Sequence, residues 1–292
     1  MKIQSLSIDV PCKSGKCVNG CPFCCSRMHT QKYNPLMLNN DTLAYGEKMF
    51  KRRLEFTKDE GCNNVILTGE IEPMQNLNFL RTFGHINWTL KNPFHWIEIQ
   101  TTGFNCNEST LIVLQDAVGV STISLSIVDP FDSELNHMTM GLPDNTMNLF
   151  GLCSLIKTLG FNLRISLNLT QLIDKYTPAQ IFTQLKDELG ADQVTFRKLY
   201  KGRASCPEND WIDEYGMSKG DYDDIVTYIK SNGRRLERLP FGATKYACKG
   251  LTTVVDDDCM SEADDKEELK YLILRPDCKL YTKWDLKESL LF

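Results

Sequence analysis

From Lys2 to Val10 apolar and polar residues alternate, the period of a half-buried strand. The same chain then switches repeatedly between strand-type and helix-type spacing. Asn40 and Asp41 are caps for a helix running to about Asp59, which Gly61 ends. Asn64 to Thr68 predicts a buried strand, Asn76 to Leu90 a helix, and Trp96 to Thr101 a third strand. A short helix over Asn107 to Asp116 and a strand over Ser121 to Val128 follow. Asp144 to Leu159 is helical in pattern, with Gly160 as its C-terminal stop. Asn162 to Leu169 and Gln193 to Leu199 predict two more strands, and Pro178 opens a helix that reaches Leu189. These make six strand–helix units in about 200 residues. Continuous apolar strands separated by helices predict a parallel sheet, curled by right-handed crossovers into a doubly wound sheet or a barrel-like arc. In such folds ligands sit at the C-terminal ends of the strands.

The last ninety or so residues read differently. Asp210 to Gly233 is helical in its second half, and Arg234 to Lys249 is basic. Leu251 to Val255 and Leu269 to Trp284 predict antiparallel strands, with a hairpin turn at Pro276-Asp277-Cys278-Lys279. A boundary near Lys201 divides a core of residues 1–200 from an extension of residues 201–292, which is placed to act as a lid on the substrate side.

Composition narrows the class. The chain has 292 residues, 42% hydrophobic and 24% charged, which excludes wholesale disorder, collagen and coiled coil. A net charge of −5 makes nucleic acid an unlikely partner. No apolar run approaches the roughly 20 residues of a membrane span, and Asp9 interrupts the first apolar stretch. The expectation is a soluble cytoplasmic protein without a membrane partner. Twelve cysteines are the informative excess, since five of them, Cys12, Cys17, Cys21, Cys24 and Cys25, fall within one short stretch. In a long chain such a cluster binds metal more often than it forms disulfides.

Cys17, Cys21 and Cys24 form C-x3-C-x2-C, with Phe23 just before the last cysteine. Three thiolates on one loop suit three irons of a [4Fe–4S] cluster and leave the fourth iron open. The alternative is a zinc knuckle of Cys12, Cys17, Cys21 and Cys24, which would make the chain a non-catalytic interaction module. The spacing, the aromatic residue and the position after the first strand resemble the cluster loop of the radical S-adenosylmethionine (radical SAM) superfamily. Residues 67–73, Leu-Thr-Gly-Glu-Ile-Glu-Pro, resemble that superfamily's Gly-Gly-Glu-Pro strand end, which holds the amino group of S-adenosylmethionine. One register brings Glu72 to that role and the other Glu70, beside Thr68 and Gly69. Further along, Thr102 in Gln-Thr-Thr-Gly resembles the turn ending the third strand. Ser124 and Ser126 resemble the serines of the fourth, Asn168 the asparagine of the fifth and Arg197 the arginine of the sixth. The likeness covers about residues 2 to 200. It implies a partial (β/α)6 barrel and an enzyme that reductively cleaves S-adenosylmethionine to methionine and a 5′-deoxyadenosyl radical. That radical would take hydrogen from a small-molecule, nucleotide or peptide substrate. An electron donor such as flavodoxin or ferredoxin is implied as a partner. A role as activator of a partner protein, leaving a radical on it, is the other reading within the same family.

Other groups stay open. Cys206, Cys248, Cys259 and Cys278 include no close pair, so buried structural cysteines stand against a second iron–sulfur cluster. Arg234, Arg235 and Arg238 with Lys245 suit a phosphate or carboxylate, or else decorate a solvated helix end. Asp256, Asp257 and Asp258 suit a divalent cation or an acidic turn, and residues 264–268 a solvated helix start. His29, beside the cysteine loop, has the same two readings: site wall or structural histidine.

Overall fold

The computed structural model describes residues 2–11, 15–28, 36–38, 43–239, 242–256 and 268–292. Six parallel strands lie side by side in chain order: β1 (Lys2–Asp9), β2 (Asn64–Thr68), β3 (Trp96–Thr101), β4 (Thr122–Ile127), β5 (Asn162–Asn168) and β6 (Gln193–Arg197). Each matches a predicted strand to within two residues at either end. The helices between them are α1 (Cys25–Met28), α2 (Leu43–Asp59), α3 (Leu77–Trp88), α4 (Glu108–Val113), α5 (Ser133–Met140), α6 (Leu149–Thr158) and α7 (Pro178–Thr183).

Side-chain caps set several of these starts. Asn76 accepts from Phe79 N at 3.1 Å, and Thr177 and Gln180 form a reciprocal capping box around Pro178. The helix expected from Asp144 begins instead at Leu149, because Asn148 is the residue that caps it. Helix α5 was not expected: it buries only Asn136 and Met140, too few positions to leave a helical period. Where two unbroken helices were predicted, α4 and α7 each run on into a π-helical turn, Leu114–Val118 and Gln184–Glu188.

The described residues beyond β6 add two α-helices, α8 (Pro207–Tyr215) and α9 (Lys219–Asn232), and five strands. The strands are β7 (Gly233–Arg238), β8 (Thr244–Cys248), β9 (Leu251–Asp256), β10 (Glu268–Leu274) and β11 (Leu280–Tyr281). They join both flanks of one open eleven-stranded sheet, in the order β11-β10-β1-β2-β3-β4-β5-β6-β9-β8-β7. β9 runs parallel to β6 and β10 parallel to β1, so the purely antiparallel pairing expected here is corrected. A run of apolar and β-branched residues suits either direction, and periodicity does not encode which. The basic stretch lies on β7 and β8, not on a helix end.

Cross-strand register separates the two faces. Ile8, Leu67, Ile99, Ile123 and Leu163 follow one another across the sheet. All are 0% exposed and share one core with Phe50, Phe83 and Ile156 of the helices. Fully burying each such side chain is worth roughly 1.5–3 kcal/mol. The other face carries Ser7, Thr68, Gln100, Arg164, Thr195 and Arg197, which line a cavity of about 590 Å³. No helix among the described residues is long and apolar enough to cross a membrane.

Candidate cofactor site

The cysteine loop follows β1 and is seated by bonds to the turn after β2 and to the end of α5. Val18 N donates to Gln75 Oε1 at 3.0 Å, and Gln75 Nε2 donates to Lys16 O at 3.1 Å. Gly20 N donates to both Met140 O and Gly141 O, at 3.0 and 3.1 Å. Gly20 and Gly141 touch backbone to backbone. A Cβ on Gly141 would lie 2.8 Å from Gly20 Cα, and Gly141 holds φ +54°, so both space and conformation require glycine there. Phe23 is buried in a small apolar cluster with Val128, Met140 and Ile212, and its ring centre lies 5.4 Å from that of Trp211 in α8.

This seating gathers Cys17, Cys21 and Cys24. Burial pushes the Cys21 thiol up to about 12, and the neighbouring Cys24, Cys17 and Glu72 charges add to it. Cys17 is raised for the same leading reason. Cys17 and Cys21, thiols that resist ionisation beside one another, are poor free anions and good ligands, because coordination removes their protons outright. Among the described residues no three His, Cys, Asp or Glu side chains close on a single ion. A multi-iron cluster takes one thiolate per iron and so accepts the wider spacing. The donor set fits that group. Cys12, which the zinc reading needs, lies outside the described residues, as do His29, Asp257, Asp258, Cys259 and residues 264–267; the side chains of Asp256 and Glu268 are also outside them.

The two candidate carboxylates have separate surroundings. Glu72 is 3% exposed and accepts from Thr101 Oγ1 at 2.6 Å, from Thr102 N and Oγ1 both at 2.9 Å, from Met74 N at 3.2 Å and from Asn19 Nδ2 at 3.4 Å. It therefore knits the cysteine loop to the ends of β2 and β3. Burial raises its pKa, against the pull of those donors. Glu70 lines the large cavity and meets Arg275 Nη1 at 3.1 Å. The same Nη1 reaches Asp9 Oδ2 at 3.3 Å, and Arg275 Nη2 donates to Trp284 O at 2.6 Å. Arg275 is 1% exposed, and burial holds the Asp9 carboxyl up at about 7.

The remaining expected residues divide. Thr68, Gly69 and Arg197 line the large cavity together with Cys25 and Ser26. Thr68 Oγ1 donates to Gln100 at 3.1 Å, and Arg197 Nε to Ser166 Oγ at 3.1 Å. Thr102 and Ser126 border a second cavity of about 330 Å³ beside α5, with His137 on its wall. Ser124 is buried within the sheet. Asn168 Nδ2 is engaged by Ile127 O at 3.0 Å, a tie between strands. Cys248 is buried in β8, while Cys278 lies at the other flank in the β10–β11 turn. There it takes φ +59° and donates to Gly46 O at 3.4 Å. Asn19, Gln75, Gly141, Asp9 and Arg275 were not found from the sequence. Only Asp9, a carboxylate closing an apolar strand, carried a signal.

An open parallel βα arc with a thiol loop over its strand ends is a partial-barrel fold of a kind found in cofactor-dependent enzymes. Solved structures narrow it. anSMEcpe with bound AdoMet and the Cp18Cys peptide matches 100% of this chain and 77% of its own, at TM-score 0.62 and 14% identity. Streptococcus suis SuiB bound to precursor peptide SuiA matches 96% of this chain at TM-score 0.51 and 16% identity. This chain spans 59% of that SuiB chain. SuiB has also been solved bound to S-adenosylmethionine, and that structure matches at TM-score 0.52 and 17% identity. This chain shares the fold of anSMEcpe and SuiB. No family model and no curated protein matches the chain.

Proposed function

We propose that this protein is a radical SAM enzyme acting on a peptide. The observation that carries the reading is the three-thiol loop, docked through Gly20 and Gly141 beside Glu72 in this fold. Cys17, Cys21 and Cys24 would hold a [4Fe–4S] cluster. The cluster and S-adenosylmethionine, when bound, supply reductive cleavage of the cofactor and hydrogen abstraction from the substrate. Glu72 stands nearest the thiols and would take the cofactor's ammonium, displacing the long Asn19 contact and the rotatable Thr102 hydroxyl. Arg197, whose one side-chain bond among the described residues is to Ser166, would meet the cofactor carboxylate. The cavity wall of Thr68, Glu70 and Gln100 would position substrate and exclude water. Peptides bound to anSMEcpe and to SuiB support the substrate class. An electron donor of the flavodoxin or ferredoxin kind belongs to the same reading.

Anaerobic reconstitution with iron and sulfide, followed by S-adenosylmethionine and reductant, tests it. About four irons per chain and formation of 5′-deoxyadenosine are expected. Cys21→Ala should lose both. An active, cluster-replete Cys21→Ala protein, or zinc with no cofactor cleavage in the parent, would sink the proposal.

A further inference from the structure

The row of residues that lines the large cavity does not stop at β6. Thr195 pairs across to Val254, Val254 to Lys245 and Lys245 to Glu237, and all four border the cavity. Glu237 lies on β7, which among the described residues pairs with β8 alone and leaves its other edge without a strand. The cavity wall therefore ends at an open sheet edge. Register also fixes the level of that edge. Arg238 aligns with Thr244, Thr244 with Val255, and Val255 with Phe196, next to Arg197 at the cofactor end of the sheet.

The unpaired charge on this edge, among the described residues, has one sign. Arg234, Arg235 and Arg238 are exposed, and their side chains make no ion pair or hydrogen bond among the described residues. Glu237 is already paired with Lys245 at 3.0 Å. Arginines on an edge strand guard against self-pairing, because a second copy of β7 would add three more positive charges to the same edge. The same charges accept an acidic strand. We infer that the edge of β7 binds an extended acidic segment of the peptide substrate by strand addition. Main-chain bonds from β7 would hold it, and every second side chain would continue the Thr195–Val254–Lys245–Glu237 row over the cavity. This rests on the peptide reading above.

The test uses the reconstituted full chain and a fluorescent peptide of about ten residues alternating glutamate and valine. A lysine-for-glutamate peptide and an acidic peptide N-methylated at alternate amides are the controls. The acidic peptide should bind at least roughly tenfold tighter than either control, and salt should weaken it. Arg234→Glu/Arg235→Glu/Arg238→Glu should lower that affinity by at least about tenfold and favour the lysine peptide. Equal binding of the N-methylated peptide, or of an oligonucleotide of equal charge, would overturn strand addition. So would a parent dimer that the triple variant dissociates. Cofactor cleavage without peptide is measured in parallel. A parent that cleaves S-adenosylmethionine but ignores the acidic peptide refutes the docking edge alone. A parent that binds the peptide but never cleaves the cofactor refutes the enzyme reading and leaves the edge standing.

Discussion

The two flanks of the sheet carry the same residue type in opposite circumstances. On the β10 flank Arg275 is buried, and Asp9, Glu70 and the Trp284 carbonyl surround its guanidinium. On the β7 flank three arginines stand in water without partners among the described residues. Burial makes the first a structural charge whose partners are obligatory, since an isolated buried ion costs several kcal/mol. Exposure makes the others available to something outside the chain. The lesson is that the extension works at both ends of the same arc, locking one and leaving the other open.

The largest expected effect lies on the locked flank. Arg275→Met should cost about 3–5 kcal/mol by denaturant unfolding, because it strands two carboxylates. Adding Asp9→Asn and Glu70→Gln to that variant should recover much of the loss; no recovery would mean the arginine acts by packing on Trp284 instead. Next in size is Gly141→Ala, which forces a Cβ into Gly20 and should cost about 1–3 kcal/mol. Its iron content should fall further than its helical circular dichroism, since the loop seat is lost before the fold. Glu72→Gln sets an amide against donors that need an acceptor and should cost about 1–3 kcal/mol, with weaker S-adenosylmethionine binding by calorimetry.

Titration probes the same lock. The folded protein holds the Asp9 proton up to about 7, whereas the unfolded chain releases it near the ordinary 3.8. Between those values the native state binds more protons, so stability falls as pH rises through the window. Asp9→Asn should flatten that slope; an unchanged slope would assign it to another group. The smallest effect belongs to the open flank. Reversing Arg234, Arg235 and Arg238 should leave stability within about 0.5 kcal/mol per site, and a larger drop would show that β7 is held by contacts it does not display.

The six-unit arc was legible because each strand is a short apolar run and each helix a periodic one with a cap, as at Asn76 and Thr177. The three cysteines of the loop stood out by their spacing, by Phe23 beside the last of them and by their place after the first strand. Arg275 was not: a single cation between Leu274 and Pro276 has no period, and its meaning comes from carboxylates about 205 and 266 positions away. The different surroundings of Glu70 and Glu72 were hidden for a related reason. Two residues of one strand end differ only in what other strands bring to them: Thr101, Thr102 and Asn19 to one, Arg275 to the other. The direction of β9 and β10 likewise depends on where the chain returns, not on what it is made of.

The pairing of β10 with β1 joins Ser5 to Tyr271 and Ile8 to Leu274, nearly the widest separation the chain permits. During synthesis at roughly 5–20 residues per second the first strand emerges long before its neighbour, and one of its edges waits while the other five βα units fold. Contacts this distant in sequence slow folding, because loop closure precedes any gain from the pairing. Arg275 arrives at the end of that same strand, so the Asp9 and Glu70 carboxylates have no buried counter-ion until β10 is in place. Completing the β1 flank and neutralising the carboxylates behind it are thus one late event, and a ribosome-stalled chain ending before β10 should be readily cleaved by protease at β1.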